Sequence, residues 1–419
     1  MRERRDMDGT PLRVVVLCAT LGLSGAVGAT GIDKQSFSQV EHGRYLTIVA
    51  DCGSCHTLPG SGHELAGGRP IETPFGTLLA PNITPDAETG IGAWTDDEFV
   101  NALTKGTGRN GIQLYPAMPY TYYTRLTRDD ALAIRAYLNT IPAVHNTVKS
   151  NQLPFPFNMR WTMAIWNELF FRAQTFAPDP HKSAQWNRGA YLAEGPAHCG
   201  MCHTPKNFLG ADNNSKRLQG YNLQGWFAPN ITDDSRRGLG SWSVDDIATY
   251  LETGHNKIAT TTGLMSETLS LSTSRMRDDD LKSIAVYLKG QPGQSGAPAA
   301  APDRSVMKKG EQIYADECSG CHKPDGSGVP ALFPTLKGAP AVQQTDPTSL
   351  LRVILRGAKA AGTSRAPTAS SMPAFSWILA DGQVAAVTTY IRNAWANSAP
   401  PVSAGDVQKA RQVFVERSD

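Results

Sequence analysis

The pattern Cys-x-x-Cys-His occurs three times in 419 residues, at Cys52–His56, Cys199–His203 and Cys318–His322. Six of the seven cysteines stand in these pairs, and His56, His203 and His322 each follow the second cysteine directly. A disulfide would need no adjacent histidine. A structural zinc site needs four ligands close in space, usually two short pairs one or two dozen residues apart, whereas more than a hundred residues separate these pairs. The spacing is that of covalent haem c attachment. Two thiols three residues apart reach the two vinyl groups of one porphyrin as thioethers, and the next residue is held under the ring, where its imidazole can bind iron. The chain is therefore expected to carry three covalently bound haem c groups, on Cys52 and Cys55, Cys199 and Cys202, and Cys318 and Cys321.

The surrounding sequence repeats. "APNIT" occurs at Ala80–Thr84 and again at Ala228–Thr232, and "GAWTDDEF" from Gly92 matches "GSWSVDDI" from Gly240. The first two units are homologous, and the third is a shorter, diverged relative. Met118 lies 62 residues beyond His56, Met265 lies 62 beyond His203, and Met372 lies 50 beyond His322. Met118 in "YPAMPY" and Met372 in "SSMPAF" precede a proline, which holds the chain extended and removes a backbone donor. Such a loop can present sulfur to iron as a sixth ligand, which raises the reduction potential. Met265 in "GLMSE" lacks the proline, and Met276 competes with it for the second iron.

Each unit opens on a helical segment ("GRYLTIVADC", "GAYLAEGPAHC", "GEQIYADEC") and closes on another ("RDDALAIRAYLNT", "RDDDLKSIAVYLKG", "DGQVAAVTTYIRNAW"). In the closing segments Leu281, Ile284, Ala285 and Leu288, and Val384, Val387, Ile391 and Trp395, fall on one helical stripe. Thr127 or Asp381 could cap such helices, and the acidic runs "TDDE" and "RDDD" suit helix starts. No segment alternates like a strand, so the expected class is all-α. The organisation expected is a first domain over 35–150, an aromatic linker over 151–180, a second domain over 181–290, a Pro/Ala/Gly linker over 291–304, a third domain over 305–398 and a tail over 399–419. The aromatic linker holds Phe155, Phe157, Trp161, Trp166, Phe170, Phe171 and Phe176. Burial is expected for it, between two haem domains or against a partner or membrane surface. The linker from Gly290 reads as a tether.

Residues 1–29 read as a cleaved signal peptide: Arg2, Arg4 and Arg5 start it, an apolar stretch from Val14 to Val27 follows, and small residues end it. Cys18 falls inside this segment. No later stretch is long and apolar enough to span a bilayer. The composition is 40% hydrophobic and 19% charged with a net charge of +2, so no polyelectrolyte partner is implied, and no basic stripe with interleaved aromatics points to nucleic acid.

These motifs together resemble a known family. Three class I cytochrome c domains behind a signal peptide, with "APNIT" repeated and "FPFNMRW" between units one and two, resemble the cytochrome c subunits of periplasmic membrane-bound dehydrogenases. These include the quinoprotein alcohol, gluconate 2- and aldehyde dehydrogenases. The resemblance covers roughly residues 35 to 400. It implies a separate catalytic subunit of quinoprotein, flavoprotein or molybdenum type. It also implies an acceptor that is ubiquinone or a terminal oxidase, and a place in the periplasm at the outer face of the cytoplasmic membrane with peripheral membrane contact. It implies His56, His203 and His322 as proximal ligands and Met118, Met265 and Met372 as distal ones. The missing proline after Met265 is the departure.

Six-coordinate His/Met irons leave no open position for chemistry, so the chain is expected to carry electrons and to contain no catalytic residue of its own. The alternatives are a multihaem enzyme such as a peroxidase, which needs one iron without its methionine, and a free-standing periplasmic shuttle. The other histidines, His42, His63, His145, His181, His198 and His255, share no spacing and read as surface or packing residues.

Overall fold

The computed structural model describes residues 36–149 and 151–415, of which residues from Phe37 onward belong to one compact body. The signal-peptide segment and Cys18 lie outside the described residues. The first third contains α1 (Phe37–Val49), α2 (Cys52–His56), the hairpin β1 (Pro70–Thr73) and β2 (Gly76–Leu79), α3 (Asp96–Lys105), α4 (Tyr120–Tyr123) and α5 (Arg128–Leu138). Then α6 (Thr162–Phe170) crosses to α7 (Ala184–Glu194), α8 (Cys199–His203), the hairpin β3 (Tyr221–Leu223) and β4 (Trp226–Ala228), α9 (Val244–Thr253), α10 (Leu264–Leu271) and α11 (Asp278–Lys289). The last third contains α12 (Arg304–Glu317), α13 (Ser319–His322), α14 (Thr348–Arg356), the two-residue strands β5 (Ala358–Lys359) and β6 (Ser371–Met372), α15 (Asp381–Asn393) and α16 (Ala404–Val415). The body is helix-rich, as expected. The three antiparallel hairpins, such as Pro70 opposite Leu79 and Tyr221 opposite Ala228, were not expected. Strands of two to four residues are too short to show an alternation in the sequence.

One arrangement recurs three times: the opening helix crosses the closing helix, as α1 on α5, α7 on α11 and α12 on α15. Each crossing is set by a glycine in the opening helix. A Cβ on Gly43 would lie 1.7 Å from the Ala133 carbonyl oxygen, one on Gly189 1.8 Å from that of Ser283, and one on Gly310 2.3 Å from that of Ala386. The helix starts behave as their sequences suggest. Thr95 and Ser243 form reciprocal capping boxes, and Thr127 accepts from the Asp130 amide. Asp381 does not cap: it is the first residue of α15, and Ala380 occupies the cap position.

The first two modules share one core that runs from Leu46 and Ile134 through Leu192 and Leu281, while the third has its own around Leu351, Val384 and Phe414. The interface between modules one and two is self-complementary. Tyr45 on α1 donates to Asp280 on α11 at 2.5 Å, and Tyr191 on α7 donates to Asp130 on α5. Tyr45 and Tyr191 each lie two residues after the crossing glycine, and Asp130 and Asp280 are each the third residue of a closing helix. The two modules thus face each other as the halves of an isologous dimer would, across a pseudo-twofold axis. Burial alone would raise the Asp280 carboxyl, but Arg188 (2.7 Å), Tyr45 and Arg277 outweigh it and hold it below the usual carboxylate range. A depressed folded-state value contributes stability that is present above the unfolded pKa and is lost as pH falls through the folded one. Asp280→Asn should therefore cost about 2 kcal/mol at neutral pH, because the half-buried Arg188 loses a charged hydrogen-bond partner. It should also flatten the acid side of the stability profile, as read by urea unfolding between neutral and acid pH.

Both connections differ from the sequence expectation. Of the aromatic linker, Trp166 is buried against Tyr120 and Ala211 and donates to the Leu209 carbonyl at 2.9 Å, so it does wedge between modules one and two. Phe155, Trp161, Ile165 and Leu169 face solvent, however. The second linker is fastened along module two: Ser295 bonds Asp234 at 3.0 Å, and Arg237 bonds the Gln294 carbonyl at 3.0 Å. The tail is a packed helix as far as described, with Val407 and Phe414 buried.

Candidate functional site

Cys52–His56 and Cys199–His203 each form a single short helix, while in the third motif Cys318 joins the end of α12 to the start of α13 (Ser319–His322). None of the six cysteines is in a disulfide. Burial pushes the thiols of Cys52, Cys199 and Cys318 up to about 12 and that of Cys202 to about 11, and raises Cys55 as well. Burial thus disfavours the charged thiolate at these positions. A buried uncharged thioether meets no such penalty. Among the described residues, no group of three or more His, Cys, Asp or Glu side chains is arranged to hold a metal ion.

The histidines share one geometry. His56 Nδ1 lies 2.7 Å from the Pro81 carbonyl, His203 Nδ1 2.7 Å from Pro229 and His322 Nδ1 3.0 Å from Pro334. A carbonyl can only accept, so Nδ1 carries the proton and Nε2 presents its lone pair. Burial lowers all three pKa values, which keeps the rings neutral, and the carbonyl contact only partly opposes it. A fixed tautomer with its outer nitrogen tied to the backbone is how proteins orient a metal-binding imidazole. The sequence motifs do not single out these prolines, although "APNIT" places Pro81 and Pro229 at nearly equal distances beyond their histidines.

The methionines take three settings. Met118 sits in a bend just before α4, Met265 in the first turn of α10, and Met372 in β6 opposite Ala358. All three are half-buried. Met276 is 3% exposed in the shared core. It stands two residues before α11, as the equally buried Leu126 stands two before α5. Nearby polar atoms fit a polar-edged group in module two: Trp242 Nε1, Thr261 Oγ1 and Ser266 Oγ are buried without a partner among the described residues.

The attachment helices of modules one and two approach each other. α4, which follows Met118, sets the Tyr122 hydroxyl against Gly200 in α8, where a Cβ would lie 2.9 Å from it, and Tyr122 donates to Asp212. Reciprocally, α10, which carries Met265, packs on α2: Glu267 pairs with Arg69, and Ser272 donates to the Val49 carbonyl at 3.3 Å. His198, expected at the surface or in packing, is half-buried between them, with Nε2 3.3 Å from the Ala50 carbonyl. Module three meets module two elsewhere. The Phe227 amide donates to Ser349 at 2.8 Å, and the Arg352 guanidinium stacks 4.7 Å from the centre of the Trp226 ring.

This is the architecture of an electron-carrying haem protein, and the comparisons agree. The Cytochrome c family profile matches residues 40–142 and 307–395. The gluconate 2-dehydrogenase cytochrome c subunit of Pantoea cypripedii is 38% identical over 95% of this chain and 95% of its own length. The cytochrome c subunit of the quinone-linked alcohol dehydrogenase of Gluconobacter oxydans is 37% identical over 94% of this chain and 87% of its own. The fructose dehydrogenase cytochrome subunit of Gluconobacter japonicus is 34% identical over 98% and 90%. The chain belongs to this family of dehydrogenase cytochrome c subunits.

Proposed function

We propose that the protein is a three-haem relay that accepts electrons from a separate dehydrogenase catalytic subunit and passes them to ubiquinone or a terminal oxidase. The observation that carries this reading is the threefold recurrence of a Cys-x-x-Cys-His motif whose histidine is tied through Nδ1 to a proline carbonyl. Haem would supply a one-electron iron couple whose potential is set by its axial ligands and burial. The residues that hold it are Cys52, Cys55 and His56; Cys199, Cys202 and His203; and Cys318, Cys321 and His322. Met118, Met265 and Met372 complete the irons. The modules are three tandem class I cytochrome c domains, over 35–150, 181–290 and 305–398. The chain works in the periplasm at the outer face of the cytoplasmic membrane, after removal of residues 1–29, with peripheral membrane contact. Among the described residues no helix is long and apolar enough to cross a membrane.

Met265 is assigned over Met276 because Met276 fills the core position that Leu126 fills in module one. Met265→Leu should therefore remove one of three methionine–iron charge-transfer contributions in the near-infrared spectrum of the oxidised protein. Met276→Leu should leave all three, and the reverse result would transfer the ligand to Met276.

The function is tested by isolating the protein from its own membranes in mild detergent and following reduced-haem absorbance as ethanol, acetaldehyde, gluconate, fructose and sorbose are added singly. Prompt reduction by one of them is expected and names the donor subunit's substrate class. Reduction by dithionite alone, with no dehydrogenase co-purifying, would overturn the assignment to a complex.

A further inference from the structure

The residue before the first cysteine is a special position in modules one and two. Asp51 and His198 both adopt the left-handed conformation (φ 49° and 36°), Asp51 buried and His198 half-buried, and both stand where the two attachment helices meet. They are pseudo-twofold equivalents that have diverged in chemistry. Asp51 is 7% exposed, and its Oδ1 has no partner among the described residues. The Ser54 hydroxyl donates to the Asp51 backbone carbonyl at 2.9 Å, and the Ser54 and Thr268 hydroxyls both act to lower the carboxyl's pKa, Thr268 coming from α10 of the other module. The other charged and titratable groups that face it are Arg69 and Glu267, which are paired with each other, Cys52 and Cys55 on α2, Tyr123 on α4 and Cys202 on α8, with His198 beside Ala50. Arg69, the cation that acts on Asp51, is thus committed to Glu267, and the Asp51 carboxyl is buried with no ion pair of its own among the described residues.

We infer that Asp51 takes up the proton that accompanies reduction of the haem pair carried by modules one and two. The inference rests on the haem reading above. Reduction adds one electron to one iron, ferric to ferrous, supplied by the dehydrogenase or in the test by dithionite. The buried region loses one positive charge, and the carboxylate becomes the acid by taking one proton from water, so the local charge is restored. A change of charge felt by a carboxyl in a poorly solvated region shifts it more strongly than the same change felt in water. The resting environment already favours this: burial, only partly offset by the two hydroxyls, pushes Asp51 up to about 7. Reduction raises it further, so the haem potential should fall as pH rises between the oxidised-state and reduced-state values.

The test is a spectroelectrochemical titration of the full, haem-loaded chain from acid to alkaline pH. In the unaltered chain, the reduction equilibrium of one haem component is expected to weaken by up to tenfold per pH unit around neutrality, or about 59 mV for one electron. Asp51→Asn should abolish that slope while haem content and visible spectrum stay unchanged. Glu267→Gln removes a like charge and frees Arg69, so the pH-dependent region should move to lower pH; this variant decides the matter if Asp51→Asn does not fold. A pH-independent potential in the unaltered chain, a slope that survives in Asp51→Asn, or an unmoved region in Glu267→Gln would each overturn the inference. Absence of haem on Cys52 and Cys55, read by haemochrome assay of the unaltered chain, would instead overturn the haem reading and the inference with it.

Discussion

Replacing Cys199 and Cys202 together with alanine should lower covalently bound haem from three per chain to two, and should weaken module one as well as module two. The first effect follows from the attachment chemistry: without either thiol there is no thioether. The second follows from the shared core, since a haem is the largest apolar body a small helical module can enclose, and its loss leaves side chains of both modules without packing partners. The same change at Cys318 and Cys321 should also remove one haem. There the damage should stay local, because module three has its own core and meets module two through β4 and α14. Haem per chain by pyridine haemochrome assay, with limited proteolysis to see which modules loosen, checks both expectations. Three haems remaining after either double substitution would refute the attachment sites. Equal loosening of all modules by both would refute the division into a fused pair and a third module.

Gly43→Ala and Gly189→Ala should each destabilise the shared body by about 3 kcal/mol, at the upper end for overpacking. A methyl at either position meets a backbone carbonyl of the crossing helix at under 2 Å. A backbone atom cannot rotate aside as a side chain can, so the helices must separate and the contacts along α1–α5 or α7–α11 are lost together. Gly310→Ala should act likewise on module three. Gly382, in the first turn of α15, is the control, because a methyl added there meets nothing within 4 Å. Gly382→Ala should change stability by no more than about 0.5 kcal/mol. Urea unfolding followed by haem absorbance reads all four. Parity between Gly43→Ala and Gly382→Ala would show that the crossings tolerate separation.

The parts of this protein that were legible in the sequence are those written in local spacing. The Cys-x-x-Cys-His motifs that pointed to the cytochrome c family, the helices that open and close each module and the Thr127 cap depend on residues within a few positions of each other. What stayed hidden depends on partners far apart in the chain. The Tyr45–Asp280 and Tyr191–Asp130 bonds join residues 235 and 61 positions apart. The acidic run that opens α11 looked sufficient as a helix start, and nothing local told of Asp280's partners. The aromatic linker misled because aromatic content reports apolar area, not which face is covered: Trp166 is buried and Trp161, five residues earlier, is not. Met276 was an open rival to Met265 because both lie within a few residues of a helix boundary in the same stretch. The buried Leu126 at the equivalent place in module one supports the proposal of Met265.

The facing arrangement of α2 and α8 also bears on how the proposed haems would be attached. Cys52 and Cys199 pack against the core that modules one and two close together, and α4 and α10 each cover the other module's attachment helix. Closure of the pair therefore narrows the approach to these half-buried thiols. On the three-haem proposal, attachment in modules one and two is expected to precede closure, and closure would separate a finished subunit from one still under assembly.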